Sequence, residues 1–340
     1  MKEKILVGMS GGVDSNVAVK TLLDAGYVVF GATLVMSDAT SDAEAKKSAA
    51  FFGIEHITVD CRAEFEKYVI DNFVSEYLNA RTPNPCVVCN RYVKFKFLCD
   101  TAEKMGIPHV STGHYVGVKR DGERFYISKG SDTTKDQSYV LWNLTQKELS
   151  MLYFPLENKL KSETLSSAEK LGILPEDYGE SQEICFIPSN DHAEFIEKRA
   201  GKSKPGNFID DDGNVIGRHR GIINYTVGQR KGLGISLGRP AFVSEINCDE
   251  NFVRVSNEDK LFKTEFSCSA LNFQKLAPCD CGEYEFSVKI RYAAKPETCF
   301  VVISGERAHV TLAHPARAIT SGQSAVFYDG DGIAFGGFID

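Results

Sequence analysis

The chain has 340 residues, of which 39 are Lys or Arg and 46 are Asp or Glu, so its formal charge is −7. Apolar residues make up 43%, which is typical of a globular protein with room for two or three domains. No stretch approaches the roughly 18 apolar residues of a membrane-spanning helix, and the first residues show no secretory cleavage site, so we expect a cytoplasmic protein. The negative charge argues against a simple nucleic-acid-binding protein. In the cytoplasm the ten cysteines are not expected to form structural disulfides.

The first half of the chain alternates short apolar runs with stretches of helical spacing. Strands are predicted at residues 3–9, 28–35, 54–60 and 107–113, and helices at about 41–52, 63–79 and 94–105. This alternation predicts a doubly wound α/β domain over residues 1–200, with a parallel sheet covered by helices on both faces.

The pattern changes near residue 200. Residues 201–240 hold nine glycines and little helical periodicity, with a tight turn at Asp211-Asp212-Gly213. From about residue 241 the chain consists of short β runs separated by turn residues. We therefore expect a glycine-rich central domain over residues 201–262 and a small β-barrel or sandwich over residues 263–340.

A phosphate-binding loop is the clearest local signal. The segment Ser10-Gly11-Gly12-Val13-Asp14-Ser15 lies between the first strand and a helix, where backbone N–H groups and the helix dipole can bind an anion. The Gly-Lys-Ser/Thr ending of the Walker loop is missing. The segment instead resembles the loop of the ATP pyrophosphatases (PP-loop enzymes), which cleave ATP between the α and β phosphates to adenylate a substrate. Asp14 could hold a bridging Mg2+; a turn that merely needs glycine is the alternative.

Two cysteine-containing segments are candidates for chemistry. Residues 81–96, the cysteine segment, combine Cys86 and Cys89 in a Cys-x-x-Cys pair with four basic residues and no acid. The positive charge is expected to favour thiolate over thiol, and half of a structural zinc site is the alternative. Cys185 lies in the segment EICFIP and, considered without its context, is predicted to be a buried small hydrophobic residue.

Seven motifs then occur in a characteristic order: SGGVDS (10–15), TPNPCVVCNRYVKF (82–95), STGHY (111–115), KDQSYVLW (135–142), EICFIP (183–188), YTVGQRKGLGI (225–235) and AVFYDGD (325–331). In this order they resemble the tRNA-specific 2-thiouridylases, which replace the C2 oxygen of the wobble uridine, U34, by sulfur. The resemblance covers essentially the whole chain. It implies an adenine nucleotide α-hydrolase-like N-terminal domain, ATP and Mg2+, the anticodon stem-loop of tRNA, and a sulfur donor that is a cysteine desulfurase or a relay protein, with no membrane partner.

The resemblance also implies the roles of the cysteines. Cys185 would carry a persulfide, and Cys89 would be its partner, either by forming a disulfide with Cys185 or by acting as the nucleophile itself. Two cysteines 185 − 89 = 96 residues apart must then meet in space. One version of the family has an aspartate where this chain has Cys86, so the acid–base role of that position is in doubt. An iron–sulfur cluster held by Cys86, Cys89 and Cys185 is the alternative.

Binding residues follow from the same resemblance. The implied ATP contacts are Gly8, Met9, Ser10, Gly11, Gly12, Val13, Asp14, Ser15, Leu34 and Gly113. The target base would lie against Asn84, Pro85 and Cys86. The implied tRNA contacts are His114, Lys135, Asp136, Gln137, Arg291, Tyr292 and Gln323. Ordinary structural roles are the alternatives, as a hydrogen-bonded strand-end histidine for His114, a core residue for Leu34 and a solvated charged turn for residues 135–137.

The placement of charge revises the argument from net charge. Residues 81–96 carry +4, and residues 201–240 carry seven basic residues against three aspartates, again +4, which leaves −7 − 8 = −15 for the other 284 residues. In the second window, glycines lie between the basic residues, and Tyr225 lies among them. These basic residues are Arg218, Arg220, Arg230, Lys231 and Arg239. Such a segment suits phosphate contact and base stacking in RNA, and a solvated basic loop is the alternative.

The sequence therefore predicts an ATP-dependent tRNA 2-thiouridylase, a sulfur transferase that yields 2-thiouridine, AMP and pyrophosphate. One rival is another ATP pyrophosphatase that amidates or ligates its substrate and does not require Cys89 or Cys185. The other rival is a metal-stabilised RNA-binding protein without catalysis.

Overall fold

The computed structural model describes residues 2–175, 179, 184–235, 237–279 and 281–340. The N-terminal part is built on four parallel strands in the order β3-β2-β1-β4, which are β1 (Lys4–Gly8), β2 (Val28–Val35), β3 (Glu55–Asp60) and β4 (His109–Ser111). Ile5, Leu6 and Val7 of β1 are fully buried, because a central parallel strand is covered on both faces. The predicted parallel sheet is confirmed.

Helices cover both faces of this sheet, as a doubly wound fold requires. They are α1 (Val13–Asp24), α2 (Ala43–Phe52), α3 (Arg62–Phe65), α4 (Asp71–Leu78), α5 (Pro85–Cys89), α6 (Phe95–Lys104), α7 (Gln146–Met151), α8 (Lys161–Lys170) and α9 (His192–Ala200). Ile5 and Val7 pack with Leu22 of α1 on one face. Leu6 points to the other face and packs with Leu98 of α6.

Two helix pairs are joined by π-helical turns. The turn Glu66–Ile70 connects α3 to α4, and the turn Asn90–Lys94 connects α5 to α6. A π-helical turn changes which side chains share a face, and such turns are frequent at functional sites. Helix α5 starts sharply because the Asn84 side chain accepts the N–H of Cys86 at 3.1 Å and Pro85 occupies the first helical position.

A hairpin links the N-terminal part to the C-terminal part. Strands β5 (Val116–Asp121) and β6 (Arg124–Lys129) follow β4, and β6 lies beside the last strand of the chain. The completely buried Gln274 accepts the N–H of Ile127 at 2.9 Å and donates to the carbonyl of Leu141 at 2.9 Å. This hairpin is not among the predicted elements, although Asp121-Gly122 is a strong hairpin turn signal.

The glycine-rich region forms a small sheet of its own. Strands β7 (Gly206–Ile209), β8 (Val215–His219), β9 (Phe242–Asn247) and β10 (Phe252–Ser256) lie in the order β8-β7-β10-β9. The expected turn at 211–213 connects β7 to β8, and Gly213 takes the positive φ of 84° that it needs there.

The C-terminal region is a closed barrel rather than a sandwich. Its strands, in the order β11-β14-β13-β12-β15-β16, are β11 (Phe262–Phe273), β12 (Cys281–Lys289), β13 (Glu297–Ser304), β14 (Arg307–Arg317), β15 (Ser324–Asp329) and β16 (Gly332–Ile339). Pairing of β11 with β16 closes it. Strand β11 was not predicted, because two register shifts interrupt its alternation of buried and exposed residues.

Within the described ranges, no helix is long and apolar enough to cross a membrane.

Candidate functional site

One cavity of about 430 Å³ lies at the carboxyl ends of β1, β2 and β4. Doubly wound sheets bind ligands at this edge, and the volume suits a small molecule. The cavity is lined by predicted ATP residues from three segments (Gly8, Met9, Ser10, Asp14, Ser15, Leu34 and Gly113) and by His114, Gln137 and Cys185. The structure therefore brings the glycine loop and the predicted persulfide cysteine to one place, called the main cavity below.

The glycine loop has the backbone that anion binding needs. Gly11 has a positive φ of 81°, and a Cβ at this position would lie 2.6 Å from the Cβ of Glu44. Gly12 caps the N-terminus of the twelve-residue helix α1, whose dipole favours negative charge there. The Val13 side chain is buried in an apolar cluster, so only the backbone of Val13 is available to a ligand.

Gly113 is required by close packing against this loop. A Cβ on Gly113 would lie 2.7 Å from the carbonyl carbon of Asp14 and 2.9 Å from the amide nitrogen of Ser15. Real Cβ atoms do not approach backbone this closely, so a side chain at position 113 would push β4 away from the start of α1.

Asp14 is held by residues that the sequence did not single out. Its Oδ1 lies 2.6 Å from Nζ of Lys161 and accepts the hydroxyl of Tyr115 at 2.8 Å. Lys161 begins α8 and is 8% exposed, and its backbone N–H donates to the carboxylate of Asp132 at 2.9 Å. Oδ1 of Asp14 thus accepts two hydrogen bonds within the protein, and Oδ2 has no hydrogen-bond partner among the described residues.

His114 lies in the wall of the main cavity. Its Nδ1 is 2.6 Å from Oγ1 of Thr112, and its ring packs against Phe95 and Phe154. Burial, together with the charge of Lys94, lowers the pKa of His114 to about 3. His114 is therefore neutral near pH 7 and can accept or donate a hydrogen bond without carrying charge.

Cys89 lies just behind the main cavity. It is 8% exposed, and its Sγ is 3.9 Å from Sδ of Met36, which lines the cavity. Burial raises the pKa of Cys89 to about 12, and the opposing charge of Lys94 offsets only part of this. The expectation that the basic surroundings favour thiolate is therefore wrong for Cys89 in this state, because desolvation outweighs the nearby positive charge.

Cys185 faces the cavity rather than the core. The residue is exposed, so its interpretation as a buried small hydrophobic residue is wrong. Partial burial of its side chain, with a contribution from Cys86, raises the pKa of Cys185. Cys185 in turn contributes to the raised pKa of Cys89, which means that the two thiols, 96 residues apart, are electrostatic neighbours.

All ten cysteines lie in the described part of the chain, and each is a free thiol. Cys86 is exposed on the first turn of α5 while Cys89 is buried. Among the residues described, no three His, Cys, Asp or Glu side chains converge as metal ligands, which includes Cys86, Cys89 and Cys185. This arrangement of thiols does not fit a three-cysteine cluster.

The C-terminal barrel holds the cysteine segment. Nε2 of Gln323 donates to the carbonyl of Thr82 at 2.7 Å, and the N–H of Thr82 donates to the carbonyl of Ser321 at 2.9 Å. Arg81 pairs with Glu76 and donates to the last strand of the barrel. In this structure Gln323 therefore positions the chain that leads to Asn84, Pro85 and Cys86.

Residues 135–137 form an ordered turn at the cavity edge. The Asp136 carboxylate accepts the backbone N–H and the hydroxyl of Ser138, and Gln137 Oε1 accepts the N–H of Tyr115 at 3.0 Å. The backbone N–H of Lys135 donates to Asp132. Gln137 lines the main cavity, so a purely solvated turn does not describe this segment.

Arg291 joins the barrel to the glycine-rich region. Its Nη2 donates to the carbonyls of Val227 at 3.1 Å and Ala318 at 2.8 Å, and to the hydroxyl of Thr320. Tyr292 beside it is 44% exposed. Of the two predicted tRNA contacts, Tyr292 presents accessible surface and Arg291 is largely engaged inside the protein.

The basic residues of the glycine-rich region face solvent. Arg218, Arg220, Arg230, Lys231 and Arg239 are exposed, and none pairs with a carboxylate among the described residues. Tyr225 does not belong to this surface. It is 4% exposed and packs against Phe208 and His219, so the suggestion that it stacks on RNA is wrong.

Four residues of the site were missed by sequence reasoning. Lys94 entered only the charge count of residues 81–96, and Tyr115 was part of the STGHY motif without a role. Met36 follows a predicted strand, and Lys161 stands in an ordinary polar helix. Only the position of Met36 after a strand of the parallel sheet was a usable signal.

Comparisons with known proteins cover the whole chain. Family models described as the tRNA methyl transferase HUP domain, the tRNA methyl transferase PRC-barrel domain and the aminomethyltransferase beta-barrel domain match residues 3–189, 193–257 and 263–339. A tRNA-specific 2-thiouridylase of Caldanaerobacter subterraneus subsp. tengcongensis is 42% identical, covering 100% of this chain and 98% of the relative. One of Acetivibrio thermocellus is 40% identical, covering 99% of each. A solved structure, a predicted subunit of tRNA methyltransferase from Methanocaldococcus jannaschii, has 18% identity and a TM-score of 0.36, covering 49% of this chain and 76% of that one.

Proposed function

Because the chain belongs to the family of the tRNA-specific 2-thiouridylases, we propose that it replaces the C2 oxygen of the wobble uridine of tRNA by sulfur at the expense of ATP. The observation that carries the proposal is the main cavity, where the glycine loop and Cys185 line one space and Cys89 lies behind Met36. Neither an amidating enzyme nor a passive RNA-binding protein needs two thiols beside a phosphate loop.

The first step activates a poor electrophile. The uracil O2 attacks the α-phosphorus of ATP, N3 loses its proton, and pyrophosphate leaves. Backbone N–H groups of Ser10–Ser15 and the N-terminus of α1 would hold the departing pyrophosphate. Leu34 would contact the adenine, and Gly113, which packs against the backbone of Asp14 and Ser15, would lie beside the nucleotide.

The second step transfers sulfur. The terminal sulfur of a persulfide on Cys185 attacks C2, and AMP leaves with the former O2. The Cys89 thiolate then attacks Sγ of Cys185, which breaks the bond to the transferred sulfur and forms a Cys89–Cys185 disulfide. The electron pair stays on the transferred sulfur, N3 regains a proton, and 2-thiouridine results. A thiol reductant must reduce the disulfide before the next turnover, which suits a cytoplasmic enzyme.

A Mg2+ ion fits beside Asp14. The ion prefers one or two carboxylates together with phosphate oxygens, and Asp14 lines the main cavity with an Oδ2 that no described residue hydrogen-bonds. When bound, Mg2+ would neutralise charge on the phosphates. The chain's own contribution is to orient that carboxylate through Lys161 and Tyr115.

The tRNA would approach across the cysteine segment and the glycine-rich region. The target uridine must leave its stack to reach the cysteines, beside Asn84, Pro85 and Cys86. The five exposed basic residues named above, with Tyr292, suit contact with the phosphates and bases of an anticodon stem-loop. A sulfur donor protein would load Cys185, which is exposed.

Serine replacements test the proposal. The wild type, Cys89→Ser, Cys185→Ser and the control Cys248→Ser are incubated with ATP, Mg2+, a persulfide donor and unmodified tRNA, and nucleosides are analysed by mass spectrometry. Cys248 is the control because it is an exposed free thiol in the turn between β9 and β10. We expect 2-thiouridine from the wild type and Cys248→Ser, and a loss of about a hundredfold or more in the other two.

The rivals predict different results. Full activity of either Cys89→Ser or Cys185→Ser would refute the persulfide scheme. AMP formation without thiolation in the wild type would favour another ATP pyrophosphatase, and tRNA binding without AMP formation would favour a non-catalytic protein.

A further inference from the structure

Lys94 occupies an unusual position in the cysteine segment. It ends the π-helical turn Asn90–Lys94 and lines the main cavity. In an α-helix, residues five apart point about 140° away from each other, whereas a turn closed by an i→i+5 hydrogen bond stacks them. The turn therefore places Lys94 over Cys89, one π-helical turn later in the chain.

Within the described ranges, the ammonium group of Lys94 has no acidic partner. The cysteine segment has four basic residues, and the other three are ion-paired, as Arg81 with Glu76, Arg91 with Glu148 and Lys96 with Asp100. No carboxylate of the described chain lies within ion-pair distance of Lys94, although Lys94 is half-buried. A partly buried cation is stabilised by an anion in its surroundings.

The groups around Lys94 identify that anion. Among the described residues that line the cavity, Asp14 is the other charged one; Lys161 already neutralises it, and His114 is neutral. The charge of Lys94 acts instead on Cys89 and Cys185, where it opposes the effect of burial. Lys94 is thus a cation of the cavity wall whose charge favours the anionic form of both sulfur atoms.

We propose that Lys94 is a charge-stabilising residue for sulfur transfer, whose ammonium group stabilises the anionic sulfur of Cys185 and of Cys89. The role of Lys94 in catalysis rests on the proposed thiolation, whereas its effect on the two thiols does not. The catalytic role and the effect on the thiols can therefore be tested separately.

Alkylation measures the effect on the thiols directly. Rates of iodoacetamide reaction at Cys185 are followed from pH 6 to 10 by peptide mass analysis, without ATP or tRNA, in wild type, Lys94→Gln, Lys94→Arg and Lys96→Gln. Lys96 is the matched control, since it is exposed, lies on the adjoining helix and carries the same charge. Among the described residues, the other titratable groups that act on the two thiols are Cys61 and Cys86, and both are unchanged in all four proteins.

We expect Lys94→Gln to shift the alkylation profile of Cys185 upward by about one pH unit, because a positive charge that favours the thiolate is lost. Lys94→Arg should lie close to the wild type, and Lys96→Gln should match it. An unshifted profile in a Lys94→Gln protein that keeps its circular dichroism spectrum would overturn the proposal. If Lys94→Gln does not fold, Lys94→Met and Lys94→Arg together decide the same question.

Two further readouts separate the other outcomes. Under single-turnover conditions Lys94→Gln should slow thiolation at least tenfold while pyrophosphate release continues. Loss of ATP affinity with an unshifted thiol profile would assign Lys94 to the phosphates and overturn the proposal. If the wild type does not thiolate tRNA, the proposed function fails, yet the alkylation profile still decides whether Lys94 stabilises the sulfur anions.

Discussion

Lys161 binds Asp14 across 147 residues of sequence, with Nζ 2.6 Å from Oδ1. The contact bears on the proposed ATP site, because the loop that is expected to bind phosphates contains a carboxylate. The ammonium group neutralises that carboxylate before any nucleotide arrives, and the Tyr115 hydroxyl fixes the same oxygen. The other oxygen has no hydrogen-bond partner among the described residues, so under the proposed function it would be available to a Mg2+ ion.

The first prediction concerns this pair. Lys161→Met should weaken the binding of Mg2+-ATP about tenfold, because an uncompensated Asp14 carboxylate would repel the phosphates and lose its orientation. Titration calorimetry with a non-hydrolysable α,β-methylene analogue measures the affinity. Lys170→Met is the control, since Lys170 lies at the exposed end of the same helix. Equal affinities of the two variants would contradict the role assigned to Lys161.

The second prediction concerns acid stability and His114. The pKa of His114 is about 3 in the folded protein, mainly because of burial, and about 6.5 when unfolded, so between these values the unfolded chain binds the additional proton. The stability that the fold gains from a neutral His114 is thus fully present above pH 6.5 and is lost as the pH falls. By this linkage His114 should lower the free energy of unfolding of the wild type by about 1 kcal/mol when the pH falls from 7.5 to 5.5.

Urea unfolding of wild type and His114→Gln at both pH values measures this cost. The wild type should lose more unfolding free energy on acidification than His114→Gln does. The pKa values of His56, His192 and His219 are also lowered, mainly by burial, but these residues are common to both proteins and cancel in the difference. Identical losses in the two proteins would refute a buried, neutral His114.

The third prediction separates a structural arginine from an RNA-binding one. Arg291→Met should lower the free energy of unfolding by about 2 kcal/mol, because acceptors in residues 227 and 318–320 lose their charged donor. Arg230→Gln should leave stability within about 0.5 kcal/mol, since Arg230 is exposed and unpaired among the described residues.

The effects of the two variants on tRNA affinity should rank in the opposite order to their effects on stability. Arg230→Gln should weaken tRNA binding and lower the slope of log affinity against log salt by about one, as the loss of one phosphate contact does. Arg291→Met with a wild-type urea midpoint and reduced tRNA affinity would show instead that Arg291 contacts tRNA directly.

Much of this protein follows from its sequence alone, because the relevant signals are local. The apolar run at residues 5–7 and the run at 28–35 specify strands of a parallel sheet. That the glycine loop between strand and helix binds an anion stays a prediction. Motif order was sufficient for the family. The division into domains at residues 200 and 262 stays a prediction.

The tertiary structure alone decided which residues are exposed, charged or paired. Periodicity could not reveal that Tyr225 is buried, that Cys185 faces a cavity, or that burial outweighs positive charge at Cys89. Strand β11 and the β5–β6 hairpin depend on partners far along the chain, and bulges hide the pattern of β11.

The same distinction applies to the chemistry. The sequence shows which residue types are present, but a pKa depends on desolvation and on charges within a few ångströms. Those charges come from Lys94, brought over Cys89 by a π-helical turn, and from Lys161, brought to Asp14 by the packing of α8 on α1. Net charge and motif spacing carry no information about either distance, because folding, not sequence separation, sets which charges share a cavity.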